Sequence, residues 1–238
     1  MTIHIILQGK GGVGKSFIAS LLTQYLKQNS SDVLCIDTDP VNHTFSSYKA
    51  FDVKQINILD EFNNINTRAF DDLVELLLHH NGDAVIDNGA STFIPFSSYM
   101  KENNMIDFLK QSGQEIIIHS VLTGGQGLDD TLIGLTTLLQ TENIQVIVWE
   151  NEFFGEIKKD GKKFIESKIF ERNKEKIKGI VAIHKQNQDT FGKDISLMVS
   201  NKLTFDEGLE SGIFTIMPKQ RLKIFQKSIF EQINKIGI

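Results

Sequence analysis

At 238 residues, 40% hydrophobic and 23% charged, the chain has the composition of an ordinary globular protein with length enough for one large α/β core. Thirty acidic against 25 basic residues, a formal charge of −5, argue against nucleic-acid binding through bulk charge, though not against a local basic patch. One cysteine, Cys35, excludes an internal disulfide and a cysteine-rich metal site on one chain, and no run approaches the roughly 20 apolar residues of a membrane span.

The chain opens on the strand-like run Ile3–Leu7, with neither the basic flank nor the small-residue cleavage site of a secretory signal, so the expected compartment is the cytoplasm. Further buried strands are expected at Val33–Ile36, Ala84–Ile86, Glu115–Val121, Gln145–Trp149 and Gly179–Ile183. Between them, apolar residues recur at helical spacing over Phe17–Leu26, Phe70–Leu78, Leu128–Leu139 and Phe164–Ile169. Such alternation predicts an α/β fold in three layers: a mostly parallel sheet with helices on both faces, in a single domain spanning 1–238. Asp39–Asn66 breaks the pattern, with one short strand candidate at Gln55–Leu59, and reads as a binding loop or an ordinary surface loop. Lys158–Lys178 carries nine basic residues against Asp160, Glu166, Glu171 and Glu175. Mixed signs read first as the solvated face of a helix, with a DNA-facing patch as the alternative. The six histidines, His79 and His80 among them, form no metal-ligand grouping. A final helix is expected at about 219–236, where Leu222, Phe225, Ile229, Phe230, Ile233 and Ile236 recur at helical spacing among Arg221, Lys223, Lys227 and Lys235. Packing on the sheet is the first reading of that stripe and a basic membrane-surface helix the second.

Two groups of residues carry chemistry. Gly9-Lys10-Gly11-Gly12-Val13-Gly14-Lys15-Ser16 fits G-x-x-x-x-G-K-[ST] in full and lies between an expected strand and an expected helix, as phosphate binding requires. The glycines let the backbone curl so that successive N–H groups, Val13 and Phe17 included, converge on an anion at the positive end of the helix. Lys15 supplies a cation to the β- and γ-phosphates, and the Ser16 hydroxyl a ligand to Mg²⁺. The expected ligand is therefore a magnesium nucleoside triphosphate. With no guanine-reading N-K-x-D sequence, ATP is the expected nucleotide. The second group is acidic. Asp37 and Asp39 emerge at the end of the Val33–Ile36 run, and Asp87 ends Ala84–Ile86 in the form of a Walker B strand. At the carboxyl ends of parallel strands these carboxylates should face the phosphate loop, with Asp87 meeting Mg²⁺ through water. Taken alone, Asp-Thr-Asp-Pro and Asp-Asn-Gly are equally the material of turns, and Asn88-Gly89 reads as a flexible one.

Lys10 narrows the reading. A second lysine early in the loop resembles the deviant phosphate loop of the ParA/MinD family of P-loop ATPases. The resemblance implies that two protomers sandwich two ATP molecules and that Lys10 reaches the partner's phosphates. It further implies that Asp39 positions the attacking water, Asp37 supports the magnesium shell, the Asp87 segment switches with the γ-phosphate and Asn151 meets the adenine edge. Leu7-Gln8, Val41-Asn42, Asn88–Ser91, Thr123–Gln126, Asn151–Gly155, Phe191–Asp194 and Leu203–Glu207 extend the resemblance to the ParA-like proteins of plasmid conjugal-transfer operons. The partners implied are a second copy held by ATP and proteins of the transfer machinery, with non-specific DNA and a membrane surface behind them. Asp-Asn-Gly departs from the Pro- or hydroxyl-containing switch frequent in ParA relatives, which puts fast hydrolysis in doubt. A small-molecule kinase or ligase, and a nucleotide sensor with little turnover, remain alternatives.

Overall fold

In the computed structural model, which describes residues 1–30 and 32–238, the apolar runs become β1 (Thr2–Ile6), β2 (Val33–Asp37), β3 (Lys54–Gln55), β4 (Asp83–Asp87), β5 (Glu115–Thr123), β6 (Val146–Asn151) and β9 (Ile177–Ile183). Among the described residues these seven form one sheet in the order β3-β2-β4-β1-β5-β6-β9, every pairing parallel. The fold is thus the expected parallel α/β architecture. The interior strands are buried on both faces, which is why they read as unbroken apolar runs. Ile3, Ile5 and Leu7 enter one core with α2 (Ala69–His79), α3 (Phe93–Glu102), α4 (Met105–Gln111), α5 (Leu128–Leu139) and α6 (Lys168–Asn173). Ile6 enters the other, with α1 (Lys15–Lys27), α7 (Phe191–Ser200), α8 (Phe205–Glu210) and α9 (Ile216–Ile236).

The helix α9 begins at Ile216, three residues before the expected start, because Pro218 sits in its first turn, where a missing N–H costs nothing. Its stripe of Leu222, Phe225, Ile229, Phe230 and Ile233 is buried, a gain on the order of 10 kcal/mol. Gln232, on the same helix, pairs both backbone groups of Ala182 on β9, accepting from its N–H at 2.8 Å and donating to its carbonyl at 3.1 Å. No helix among the described residues is long and apolar enough to cross a membrane.

Three segments depart from their expected form. Of the strand candidate Gln55–Leu59 only Gln55 joins the sheet, in β3, while Leu59 makes an isolated antiparallel bridge to Ile65. The helix expected over Phe164–Ile169 is a 3₁₀ turn at Phe164–Glu166 followed by α6. Lys158–Lys163 is not helical: β7 (Lys158–Lys159) and β8 (Lys162–Lys163) make an antiparallel hairpin. Asp160 and Gly161 turn it with φ of 51° and 76°, the positive values a two-residue hairpin turn needs.

A buried polar chain crosses the sheet on the α1 side. Trp149 Nε1 donates to His119 Nδ1 at 2.9 Å, which leaves the His119 proton on Nε2 to donate to His4 Nδ1 at 3.0 Å. Burial lowers the pKa of His4 to about 4 and that of His119 well below its ordinary value. Between those values and the ordinary 6.5 the unfolded chain binds more protons than the folded one, so stability falls as pH drops. For His4 alone the loss between pH 7 and pH 5 is about 2 kcal/mol. In a ¹⁵N NMR titration both rings should stay neutral down to about pH 5; titration near 6.5 would contradict the buried neutral pair.

Candidate functional site

The loop from Gly9 to Ser16 leaves the carboxyl end of β1 and turns into α1 at Lys15. Gly12 and Gly14 have φ of 74° and 99°, and a Cβ on Gly14 would stand 2.9 Å from the Asn151 amide nitrogen, so a side chain is barred there twice over. The loop is anchored from behind by Gln8, which is fully buried. Its Oε1 accepts the Gly9 N–H at 2.8 Å, and its Nε2 donates to the carbonyls of Val121 (2.9 Å) and Thr131 (3.1 Å). Gln8 therefore ties the first loop residue to β5 and α5.

Lys15 is nearly buried and folds back over the loop, its Nζ donating to the Lys10 carbonyl at 3.1 Å. Burial lowers its pKa, and the charges of Asp87 and Asp39 oppose that shift. Asp87 is fully buried at the end of β4, and its Oδ1 has no hydrogen-bond partner among the described residues. Desolvation pushes its pKa up to about 7, with Asp37 adding to the rise and the Ser16 hydroxyl and Lys15 opposing it. A carboxylate held so far above its ordinary range is short of positive charge. With the Ser16 hydroxyl beside it and no nitrogen or sulfur donor, the pair suits a hard, oxygen-ligated ion such as magnesium. Among the described residues no three acidic, histidine or cysteine side chains cluster into a cage, so such an ion would take its other ligands from phosphate and water.

Asp37, also buried and also shifted upward by desolvation, accepts from the N–H groups of Asp39 and Ser46, each at 3.0 Å. It thereby shapes the loop after β2. The Asp39 Oδ1 accepts from Val41 (2.9 Å) and Asn42 (3.0 Å), and its carboxyl packs on Gly89, 2.8 Å from where a Cβ would stand. Asn88, which reads as part of a flexible turn in the sequence, is instead fully buried and fixed. It accepts from the Thr38 hydroxyl at 2.8 Å and donates to the Ile6 carbonyl at 3.1 Å, lacing together the ends of β1, β2 and β4.

The two remaining expected residues lie apart from this cluster. Lys10 is half-exposed and turned to Asp130, on the first turn of α5, at 2.7 Å. Asn151 sits on the other side of the loop, donating to the Val13 carbonyl at 2.9 Å and accepting from the Phe153 N–H at 3.2 Å. Its amide retains one donor and one acceptor direction for a ligand. It borders an apolar cavity of about 350 Å³ that Gly12, Gly14, Phe17, Ile183 and Phe225 also line. Phe17 stacks on Phe225 with 9° between the rings, which gives the cavity a flat aromatic wall.

A phosphate cradle beside an apolar cavity of that size, at the carboxyl ends of parallel strands, is the layout of a nucleotide site. Residues 4–232 match the CobQ/CobB/MinD/ParA nucleotide binding domain. The chain belongs to this family. Two Escherichia coli proteins named Protein TraL are similar along the whole length, one 44% identical over 240 residues and the other 43% over 238. Each match spans 99% of this chain and 98% of the relative. Among solved structures, MinD in the MinC:MinD cell division protein complex of Aquifex aeolicus has a TM-score of 0.54 at 16% identity, over 97% of this chain and 96% of that one. The ParA family ATPase of Chlorobium tepidum has a TM-score of 0.51 at 14% identity, over 94% and 96%. At such identities the likeness is one of fold. This member of the CobQ/CobB/MinD/ParA family exposes two apolar side chains just past strand ends on its phosphate side, Val41 after β2 (71% exposed) and Ile94 on the first turn of α3 (72%).

Proposed function

We propose that the protein is a magnesium-dependent ATPase of the ParA/MinD type, a cytoplasmic switch that dimerises around ATP and serves plasmid conjugal transfer. The observation that carries this reading is Lys10. Its ammonium is held on the outer side of the loop by an exposed partner, Asp130, while Lys15 alone serves the loop's interior. An exposed pair of this kind is worth at most about 1 kcal/mol, so Lys10 can leave it for a triphosphate presented by a second copy. The exposed Val41 and Ile94 supply apolar area for that contact. The family assignment supports the nucleotide, and the full-length similarity to Protein TraL supports the role in transfer.

In this reading the backbone N–H groups of Gly9–Ser16 and the start of α1 bind the phosphates, and Lys15 pairs with the β- and γ-oxygens. Ser16, Asp87 and Asp37 would hold the magnesium, which would neutralise phosphate charge. Asp39, held by two backbone N–H groups, orients the attacking water. Its packing on Gly89 joins that water to the segment after Asp87, so hydrolysis and the switch move together. Asn151 meets the base in the cavity bounded by Phe17. The burial of the α9 stripe argues against the membrane-surface alternative.

Light scattering with ADP and with a non-hydrolysable ATP analogue tests the reading. The mass should double with the analogue alone, and Lys10→Ala should abolish the doubling while leaving nucleotide binding within about threefold. An unchanged mass in every condition would remove the trans role of Lys10.

A further inference from the structure

A second concavity, of about 380 Å³, lies on the far side of α5. Its floor is apolar: Leu128 and Leu132 from α5, Ile157 before the hairpin, Phe164 after it and Ile169 on α6. Its rim is basic, with Lys159, Lys162, Lys163 and Lys168 against Asp160 and Glu166. With Asp129, which pairs with Lys159, four ammonium groups face three carboxylates and leave this wall at +1 on a chain whose formal charge is −5. Among the described residues, Lys162, Lys163 and Lys168 have no ion-pair partner within 4 Å. Glu166 is partly spent on the backbone, accepting the Lys163 N–H at 2.8 Å.

The arm that presents these lysines is preorganised. The Asp160-Gly161 turn sets the hairpin, Lys158 is tied to Glu156 at 2.6 Å, and Lys159 is tied to Asp129 of α5 at the same distance. The hairpin pairing and its turn hold the lysines in place before anything docks, which lowers the entropy cost of docking.

We infer that this groove between α5 and the lysine hairpin is a docking site for an acidic peptide segment of a partner protein, anchored by one or two aliphatic side chains. The floor takes the apolar anchor and the rim pairs with carboxylates on either side of it, so each half of the site matches one half of the ligand's chemistry. A nucleic acid fits less well. Its phosphates would pair with the rim but leave the apolar floor unfilled, and the one aromatic ring of the floor, Phe164, is 3% exposed and offers single-stranded bases no platform. An anionic bilayer is flat where this site is concave, and it would face the chain's overall negative charge. The site is separate from the nucleotide cavity, and the inference does not rest on the dimer switch.

The test is fluorescence anisotropy on the full nucleotide-free chain, with a short labelled peptide of glutamates around two leucines. A peptide with serines for the leucines and a single-stranded oligonucleotide serve as comparison probes. The leucine peptide should bind saturably, and binding should fall about tenfold in Lys162→Glu/Lys163→Glu, whose melting temperature reports that it is folded. The serine peptide should also bind about tenfold more weakly. Absence of binding at millimolar peptide would overturn the inference. So would equal binding by the charge-reversed protein, equal binding of the serine peptide, or displacement of the peptide by the oligonucleotide at lower concentration. Because nucleotide is absent throughout, the result is independent of whether ATP drives dimerisation.

Discussion

Gly134→Ala should destabilise the protein by about 3 kcal/mol, although helix propensity alone favours alanine over glycine by up to about 1 kcal/mol. Gly134 lies in the middle of α5, and a Cβ there would stand 2.1 Å from Gln8 Oε1 and 2.9 Å from its Cδ. Gln8 cannot yield by swinging into solvent, since it is fully buried and its amide is bonded on both sides. Moving it leaves the Gly9 N–H and the carbonyls of Val121 and Thr131 without partners, each costing on the order of 1 kcal/mol or more. In a chain of this length the change corresponds to about 10 °C in melting temperature. Nucleotide affinity should fall as well, because the displaced bond positions the first residue of the phosphate loop. Gln8→Ala combined with Gly134→Ala should cost less than the sum of the two single changes, as expected of neighbours sharing one space. A melting temperature that rises in Gly134→Ala would mean that α5 can shift outward and that Gln8 does not fix the loop.

Lys15→Met should lower the affinity for the magnesium–nucleotide complex at least about 100-fold, near 3 kcal/mol, while the melting temperature of the free protein moves by no more than about 4 °C. The two halves of this expectation have one cause. The ammonium is already desolvated in the free protein, so binding triphosphate gains its full charge-assisted bonds with little further dehydration. Methionine keeps most of the buried apolar stem and removes the charge together with one hydrogen bond to the Lys10 carbonyl. Asp87, at about 7 in the free chain, then loses a stabilising cation and takes up a proton more readily, which spares the free fold an unpaired buried carboxylate. Titration with a fluorescent nucleotide analogue measures the first half and a thermal melt the second. Affinity within threefold of the natural chain would mean that the loop does not grip phosphate through Lys15.

The parallel sheet was legible because burial on both faces forces unbroken apolar runs, and each of the six longer strands lies within two residues of its run. The Gly9–Ser16 motif stood out because phosphate chemistry fixes residue types at fixed spacing, and the structure gives it the expected strand–loop–helix setting. Gln8 and Asn88 were not legible: Gln8 bonds to residues 113 and 123 positions away and Asn88 to one 82 away, and no local pattern carries such separations. Other misses had a local signal. Asp160-Gly161 is hairpin-turn chemistry set inside what reads as a charged helix face. Thr204 and Glu207 form a reciprocal cap, at 3.2 Å and 2.8 Å, that marks the start of α8. Asn151 ends β6, as its apolar run suggests, but its bond to Val13 depends on how β6 lies against the loop before α1 in three dimensions.

The Gln232 amide has a meaning beyond helix packing. A parallel sheet ends in two rows of backbone groups that invite a strand from another molecule. On one side this chain closes the row with β3, two residues long and too short to template a neighbour. On the other, β9 is seven residues long, and the Gln232 side chain occupies the Ala182 groups as an incoming strand would. The same helix that seals the core therefore guards the sheet against edge-to-edge growth. The dimer proposed at the nucleotide face is thereby spared a competing contact at this edge.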